Sequence, residues 1–329
     1  MIRRIYYMEL PLELQIAIEN EAASVPVKKI AALVKDLSDR YRMGRALPNG
    51  KFLNSTDYAI AYAAYRLPGT YAAIYSVLTK VKSLLPAYNP GTFLDIGAGP
   101  GTAMWGTALI WPHLEELTLL EREECMINIG KRLASHSDLN LLREAKWIKA
   151  DILHSENIQQ YDLVVASYVL GELPIKNNDE FINKCWNSTR DMLVIIEPGT
   201  PEGFSRINRA RDLLLKSGAK MIAPCPHNKI CPIDDSDWCH FCQRISRSRL
   251  HRFVKGGELA YEDEKFSFVC MARNRTVDNR GIILRHPQIR KGYMSFKICT
   301  PEGLKNVTVT RKDRNLYRKA RNLNWGSFI

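Results

Sequence analysis

The chain has 329 residues, of which 46% are hydrophobic and 25% charged, and a formal net charge of +12. That composition excludes wholesale disorder, a collagen-like repeat and a small disulfide scaffold, and the length suits roughly two domains. Residues 225–329 hold 21 Lys and Arg against 10 Asp and Glu, so nearly all of the excess lies in the last third. Such asymmetry points to a polyanionic partner, nucleic acid ahead of membrane.

The chain opens without the continuous apolar core of a secretory signal between Met1 and Leu14. The cytoplasm is therefore the expected compartment. Arg3 and Arg4 hint at a mitochondrial presequence, but Glu9 and Glu13 follow, so the mitochondrial matrix is the alternative. No apolar run approaches the ~18 residues of a membrane span, so no membrane partner is expected. Leu10 to Glu21 and Val27 to Tyr41 carry the i+3 and i+4 spacing of helices. A turn-like Leu47-Pro48-Asn49-Gly50 follows, then a helix over Asp57 to Arg66. Pro68-Gly69 reads as a break and Thr70 to Leu85 as a further helix. Residues 1–90 thus form a helical region.

From Thr92 the rhythm changes. Short apolar runs at Thr92 to Ile96, Leu117 to Leu120, Trp147 to Asp151, Leu163 to Ser167 and Met192 to Ile196 alternate with helical patterns. Those helices cover Gly101 to Trp111, Glu123 to Ser135, Asp179 to Ser188 and Phe204 to Ser217. Alternation of this kind predicts an α/β doubly wound, mainly parallel sheet covered on both faces, here over residues 91–224. After Ala223 the pattern breaks into a cysteine-bearing loop. Lys265 to Arg273 then alternates like a strand that could return to the sheet edge. Short strand-like runs at Gly281 to Leu284, Tyr293 to Cys299 and Asn306 to Val309 precede a basic close, so residues 225–329 read as an extension.

The segment Asp95-Ile96-Gly97-Ala98-Gly99-Pro100-Gly101-Thr102 leaves a strand and enters a helix. Glycines let the backbone turn and approach a ligand, and the helix start offers free N–H groups. The absent Lys excludes a Walker loop, and Thr102 stands where a dinucleotide fingerprint wants its last glycine. The spacing resembles motif I of class I S-adenosylmethionine-dependent methyltransferases. That resemblance implies cofactor contacts from Asp95, Gly97, Ala98, Gly99, Gly101 and Thr102. It also implies that Glu121, after the second strand, takes the ribose hydroxyls and that Asp151, after the third, lies near the adenine. Carboxylates suit a diol and an amine, both hydrogen-bond donors. The fourth strand runs into Ser167-Tyr168-Val169-Leu170-Gly171-Glu172-Leu173-Pro174, which lacks the Asn/Asp-Pro-Pro-aromatic motif of amino-directed enzymes. No catalytic residue is nominated.

Of the eight cysteines, four fall in one Pro-rich loop as Cys225-x5-Cys231-x7-Cys239-x2-Cys242. Clustered thiols in a reducing compartment point to metal. Spacing alone suggests a four-cysteine zinc site with Cys239 and Cys242 as one knuckle, and an iron–sulfur cluster uses the same thiolates. Cys125, Cys185 and Cys270 read as packing cysteines. Arg244, Arg247, Arg249, Arg252 and Lys255 follow the loop without an intervening acid. Together with the basic close and its aromatics Tyr293, Phe296, Tyr317 and Trp325, they point to RNA phosphates and unpaired bases.

The runs Ile195-Ile196-Glu197-Pro198-Gly199-Thr200-Pro201, Ala223-Pro224-Cys225-Pro226-His227, Asp237-Trp238-Cys239-His240-Phe241, Arg247-Ser248-Arg249-Leu250-His251-Arg252 and Tyr261-Glu262-Asp263-Glu264-Lys265-Phe266-Ser267 add a closer match. With the glycine loop and Ala61 to Pro68, the chain resembles the methyltransferase-like assembly factors of the mitochondrial small ribosomal subunit and their bacterial homologues over roughly residues 55–329. The resemblance implies a protein that binds S-adenosylmethionine, small-subunit ribosomal RNA and ribosomal proteins. It further implies a [4Fe–4S] cluster on Cys225, Cys231, Cys239 and Cys299, with Cys242 as the runner-up for the fourth ligand. Two functional readings stand side by side, a methyl-transferring enzyme and a non-catalytic assembly factor. A monomer is expected away from the ribosome. A radical enzyme is disfavoured, because its Cys-x3-Cys-x2-Cys spacing is missing.

Overall fold

The computed structural model describes residues 7–43, 55–155, 158–234, 236–278 and 280–329. Arg3, Arg4 and the Leu47 to Gly50 turn lie outside them. Helices α1 (Leu12–Ala23), α2 (Val27–Met43), α3 (Thr56–Tyr65) and α4 (Leu67–Leu84) come first. Ser55 caps α3 by accepting the Tyr58 N–H. Pro68 does not break the region as the sequence suggests. It sits in the first turn of α4, where a missing N–H costs no helical bond.

The central unit runs β1 (Thr92–Ile96), α5 (Thr102–Ile110), β2 (Glu116–Glu121), α6 (Glu124–Ala134), α7 (Asn140–Arg143), β3 (Lys146–Lys149), β4 (Tyr161–Ser167), α8 (Asn178–Asn187), β5 (Thr189–Pro198), α9 (Pro201–Lys216), β6 (Lys220–Ala223), β7 (Phe241–Ser246), α10 (Arg249–Lys255) and β8 (Tyr261–Ala272). The strand order is β3-β2-β1-β4-β5-β8-β6, with β7 also paired to β8. Strands β1 to β5 are parallel, whereas β8 is antiparallel to β5, β6 and β7. This is the doubly wound α/β architecture of the class I methyltransferases, with one antiparallel strand inserted before the last.

The placement of β8 corrects the expectation of a returning edge strand. It lies between β5 and β6, so the sheet begun at Thr92 closes only with residues beyond Cys225. Phe266, Phe268, Cys270 and Ala272 enter one core while Val269 and Met271 enter the other, which is what an interior strand requires. The same alternation holds at β4, where Leu163 and Val165 face one core and Val164 and Ala166 the other.

A second sheet closes the chain. It comprises β9 (Ile282–Ile283), β10 (Gln288–Arg290), β11 (Tyr293–Thr300) and β12 (Gly303–Thr310), followed by α11 (Arg314–Ala320). Met294, Phe296, Ile298, Val309 and Ala320 form its own small core. Ties to the main body include Trp325 Nε1 donating to His240 O at 2.9 Å and Lys80 Nζ donating to Gly326 O at 2.7 Å. Asp237 adds an ionic tie, meeting Lys297 Nζ at 2.7 Å and also Arg285.

Candidate cofactor and metal sites

The loop between β1 and α5 is built on left-handed backbone. Gly97, Gly99 and Gly101 have φ of 70°, 56° and 78°. The Gly97 and Ala98 N–H groups donate to Leu120 O at 2.8 and 3.1 Å, anchoring the loop to β2. At Gly97 a side chain is excluded by space as well, because a Cβ would lie 2.5 Å from Val169 Cγ2. Gly101 caps α5, and Thr102, its first residue, is buried.

Glu121 closes β2 with its carboxylate turned into the loop. Oε2 accepts the Gly99 N–H and Oε1 the Glu123 N–H, both at 2.8 Å. Each oxygen retains a lone pair for a hydroxyl donor. Burial raises the Glu121 pKa, against the backbone N–H groups that lower it. Asp95 is 1% exposed and its Oδ1 has no hydrogen-bond partner. Burial and the neighbouring Glu121 charge push its carboxyl up to about 8, against a backbone bond from Ala103. Asp151 accepts the Leu153 N–H at 2.9 Å. Gly97, Glu121 and Asp151 line one cleft with apolar walls from Ile152, Leu173 and Phe181. An orphaned buried carboxylate at the end of β1 and two acceptors along the cleft fit a cationic, hydroxyl- and amine-bearing ligand.

Beyond the cleft, the ends of β4, β5 and β8 hold polar groups that the sequence reading does not single out as a site. Tyr168 has φ of 62°, unusual for any residue but glycine. Its hydroxyl donates to Glu264 Oε1 at 2.9 Å, and the Arg66 guanidinium lies 4.6 Å from its ring centroid and 3.0 Å from Glu264 Oε2. Glu197 is fully buried, accepts the Leu170 N–H at 2.9 Å and leaves Oε2 without a hydrogen bond, 3.7 Å from Arg206 Nη1. Burial pushes its carboxyl up to about 8. An acid ending the apolar run Met192 to Ile196 is the signal that marks Glu197. Nothing local marks the pairing of Arg66 with Glu264, because the partners are 198 positions apart.

Cys225, Cys231, Cys239 and Cys299 line one cavity, with His227, Pro224, Pro226, Ile233 and Phe241 in its walls. The loop supplies three of them, while Cys299 arrives on β11 of the second sheet. Arg211, 3% exposed, holds the loop by donating to the carbonyls of His227 and Lys229. His227 Nε2 lies 3.6 Å from Cys299 Sγ. Burial and then the thiols at positions 225, 231 and 299 raise the Cys239 pKa. Four soft thiol donors around one buried space would suit a thiolate-bound metal group. Among the described residues no group of three or more His, Cys, Asp or Glu is placed closely enough to hold a metal ion. Cys242 does not line the cavity. It sits on β7 opposite Lys265. Cys185 and Cys270 are buried in the cores.

The basic residues after the loop are engaged differently from the sequence expectation. Arg244 makes a two-point pair with Asp263 at 2.6 and 2.7 Å and lies 3.9 Å over the Tyr261 ring. Arg247 and Lys255 both pair with Glu262, which also faces His251. Three of the five side chains expected at phosphates are therefore neutralised within the chain. Arg249 is exposed and Arg252 partly so. Of the interleaved aromatics, Phe296 is core, and Trp325 packs on His240 and His286. Tyr293 is 41% exposed.

Residues 56–329 match the protein family described as mitochondrial small ribosomal subunit Rsm22. The human ribosome assembly protein METTL17, mitochondrial, is 29% identical over 290 residues, covering 82% of this chain and 62% of that protein. The Schizosaccharomyces pombe Rsm22-cox11 tandem protein 2, mitochondrial, is 24% identical over 324 residues, covering 82% of this chain and 43% of that protein. The chain therefore spans less than two thirds of either relative. Among solved structures, the Synechocystis magnesium protoporphyrin IX methyltransferase with bound SAM has a TM-score of 0.42 at 14% identity, covering 74% of this chain and 97% of its own. The Bradyrhizobium japonicum N-methyltransferase NodS with S-adenosylhomocysteine has a TM-score of 0.43 at 12% identity, covering 74% and 99%. The fold assignment rests on the strand order instead.

Proposed function

This chain belongs to the Rsm22 family of the mitochondrial small ribosomal subunit, and from that premise we propose that it is a methyltransferase-fold assembly factor of the small subunit. In this reading it binds S-adenosylmethionine in the glycine-loop cleft and an iron–sulfur cluster in the cysteine cavity. It contacts small-subunit ribosomal RNA and neighbouring ribosomal proteins through its basic last third. The mitochondrial names of the relatives favour the matrix over the cytoplasm as its compartment. No helix among the described residues is long and apolar enough to cross a membrane.

S-adenosylmethionine, when bound, supplies a transferable methyl group together with a cationic amine and a ribose diol. Asp95 would take the amine, Glu121 the diol and Asp151 the adenine amine, with Gly97 keeping the loop close. A cluster, when bound, supplies the positive charge that four buried thiolates need, and Cys225, Cys231, Cys239 and Cys299 would hold it. The geometry favours a cofactor-binding platform over a turning enzyme. Where a catalytic side chain is expected after β4, Tyr168 is tied to Glu264 and Arg66. The orphaned Glu197 Oε2 favours the second reading, methyl transfer, since a buried carboxylate with a raised pKa suits a general base.

The observation that carries the proposal is the meeting of Cys299, from the second sheet, with three loop cysteines in one cavity. Iron and sulfide analysis of anaerobically purified variants tests it. Cys299→Ser loses the iron and Cys242→Ser keeps it. Zinc without iron in the unaltered protein, or iron lost only in Cys242→Ser, contradicts it.

A further inference from the structure

The two turns at one end of the second sheet form a cationic corner around an exposed ring. Lys291 and Gly292 join β10 to β11, with Gly292 at φ 93°. The Arg311 N–H, just past β12, donates to Gly292 O at 3.0 Å, which brings the β10–β11 turn beside the β12–α11 turn. Arg290, Lys291, Arg311, Lys312 and Arg314 are all exposed, and none makes an ion pair among the described residues. The acid in these turns, Asp313, is exposed and caps α11, accepting the Leu316 N–H at 2.9 Å, and five cations outnumber it. Tyr293 stands in the middle, paired in register with Arg290 on one side and Thr310 on the other. Strand alternation directs Met294 and Phe296 into the small core, so Tyr293 faces outward with Ser295.

This corner contrasts with the segment after the cysteine loop, where Glu262 and Asp263 neutralise Arg244, Arg247 and Lys255. Uncompensated cations flanking an exposed aromatic ring match the chemistry of an unpaired nucleic-acid segment. The cations neutralise phosphates and the ring stacks on a base. An acidic protein partner would be drawn by the charge alone and would leave the ring without a role. We propose that this corner is the docking site for a single-stranded segment of RNA. The inference rests on the RNA-binding reading above and deepens it by naming the surface.

The test titrates the full, iron-loaded chain with a mixed-sequence single-stranded RNA oligonucleotide and with its duplex, across a salt series. Neutralising Arg290, Lys291, Arg311 and Lys312 to Gln weakens single-strand binding and flattens the log–log salt slope by about 0.7 per lost phosphate contact, so by about 2.8. Tyr293→Ala weakens single-strand binding at least about fivefold, leaves the slope alone and spares the duplex. Unchanged melting temperature and S-adenosylmethionine binding show that the variants fold. Wild-type slope and affinity in the four-residue variant, with loss in Arg249→Gln/Arg252→Gln, overturn the corner and leave the broader RNA reading standing. The corner also falls if the four-residue variant binds RNA as wild type does but loses binding to polyglutamate, which would assign it to an acidic protein. A wild-type chain that binds neither RNA overturns the broader reading and the corner with it.

Discussion

Asp95 pairs burial with an unsatisfied oxygen, and its chemistry can be read by pH. With the cofactor absent, its carboxyl titrates near 8, because burial and Glu121 disfavour the charge. A bound cationic amine favours the ionised form, so binding at neutral pH must release a proton. Raising the pH through 6 to 8 supplies that ionised form, so affinity for S-adenosylmethionine rises by up to about tenfold per unit and levels off above about 8. Asp95→Asn binds more weakly and with little pH dependence over that range. Calorimetry in buffers of different ionisation enthalpy checks both points. Without cofactor the sign reverses, since the unfolded chain loses this proton near its ordinary value of 3.8. Stability conferred by the protonated group is therefore lost as pH climbs from about 4 to 8. Gly97→Ala sets a methyl 2.5 Å from Val169 in a left-handed backbone, and should cost about 1–3 kcal/mol in a urea titration while weakening cofactor binding. Asp95, Glu121 and the glycines are visible in the sequence because strand, turn and helix signals frame them. Asp95's missing partner is not, since it depends on how the helix after the loop packs.

Between elements, the tie joining the start of α4, the end of β4 and β8 is the feature the sequence hides best. Arg66, Tyr168 and Glu264 come together only because β8 inserts between β5 and β6. Removing one partner of a mostly buried ion pair leaves the other charge unpaired. Glu264→Ala should lower the unfolding free energy by roughly 3 kcal/mol, at the low end for such a loss because Arg66 keeps 21% of its side chain in solvent. Exposed Glu258→Ala, measured the same way, should stay within about 0.5 kcal/mol. The alternation from Thr92 to Ile196 exposes the parallel sheet in the sequence because each buried strand is a short apolar run. Strand order carries no such mark. Even so, Phe266 to Ala272 is apolar at all but Ser267, which signals burial on both faces and argues against an edge. The positions of Cys225, Cys231 and Cys239 in one polar loop are equally legible. Cys299 is not legible from spacing, because a cavity lined from both a loop and a second sheet is assembled by tertiary packing, and the family resemblance alone pointed to it.

For the whole molecule, the charge asymmetry and the cysteine cavity meet at one junction. Cys299 belongs to the second sheet, which carries the cationic corner, and its three companions belong to the loop that leaves β6. A cluster on all four would fasten the sheet proposed to meet RNA to the body proposed to bind the cofactor. Other ties share that task, including Asp237 with Lys297 and Arg285, and Trp325 on the His240 carbonyl. Cluster loss should therefore loosen the sheet rather than release it. The basic excess itself is plain in the sequence, but which cations reach solvent is not, because Asp263 sits across the β7–β8 pair from Arg244 and Glu262 reaches Arg247 just past the end of β7. The most direct measurement is the affinity of anaerobically prepared protein for small-subunit ribosomal RNA, followed across salt for the unaltered chain and for Cys299→Ser, with cofactor binding measured on the same samples. Cys299→Ser is expected to lack iron, to bind RNA roughly tenfold more weakly with a flatter salt slope, and still to bind S-adenosylmethionine. Equal RNA affinity and slope in the two proteins, with iron present in one and absent in the other, would contradict that expectation.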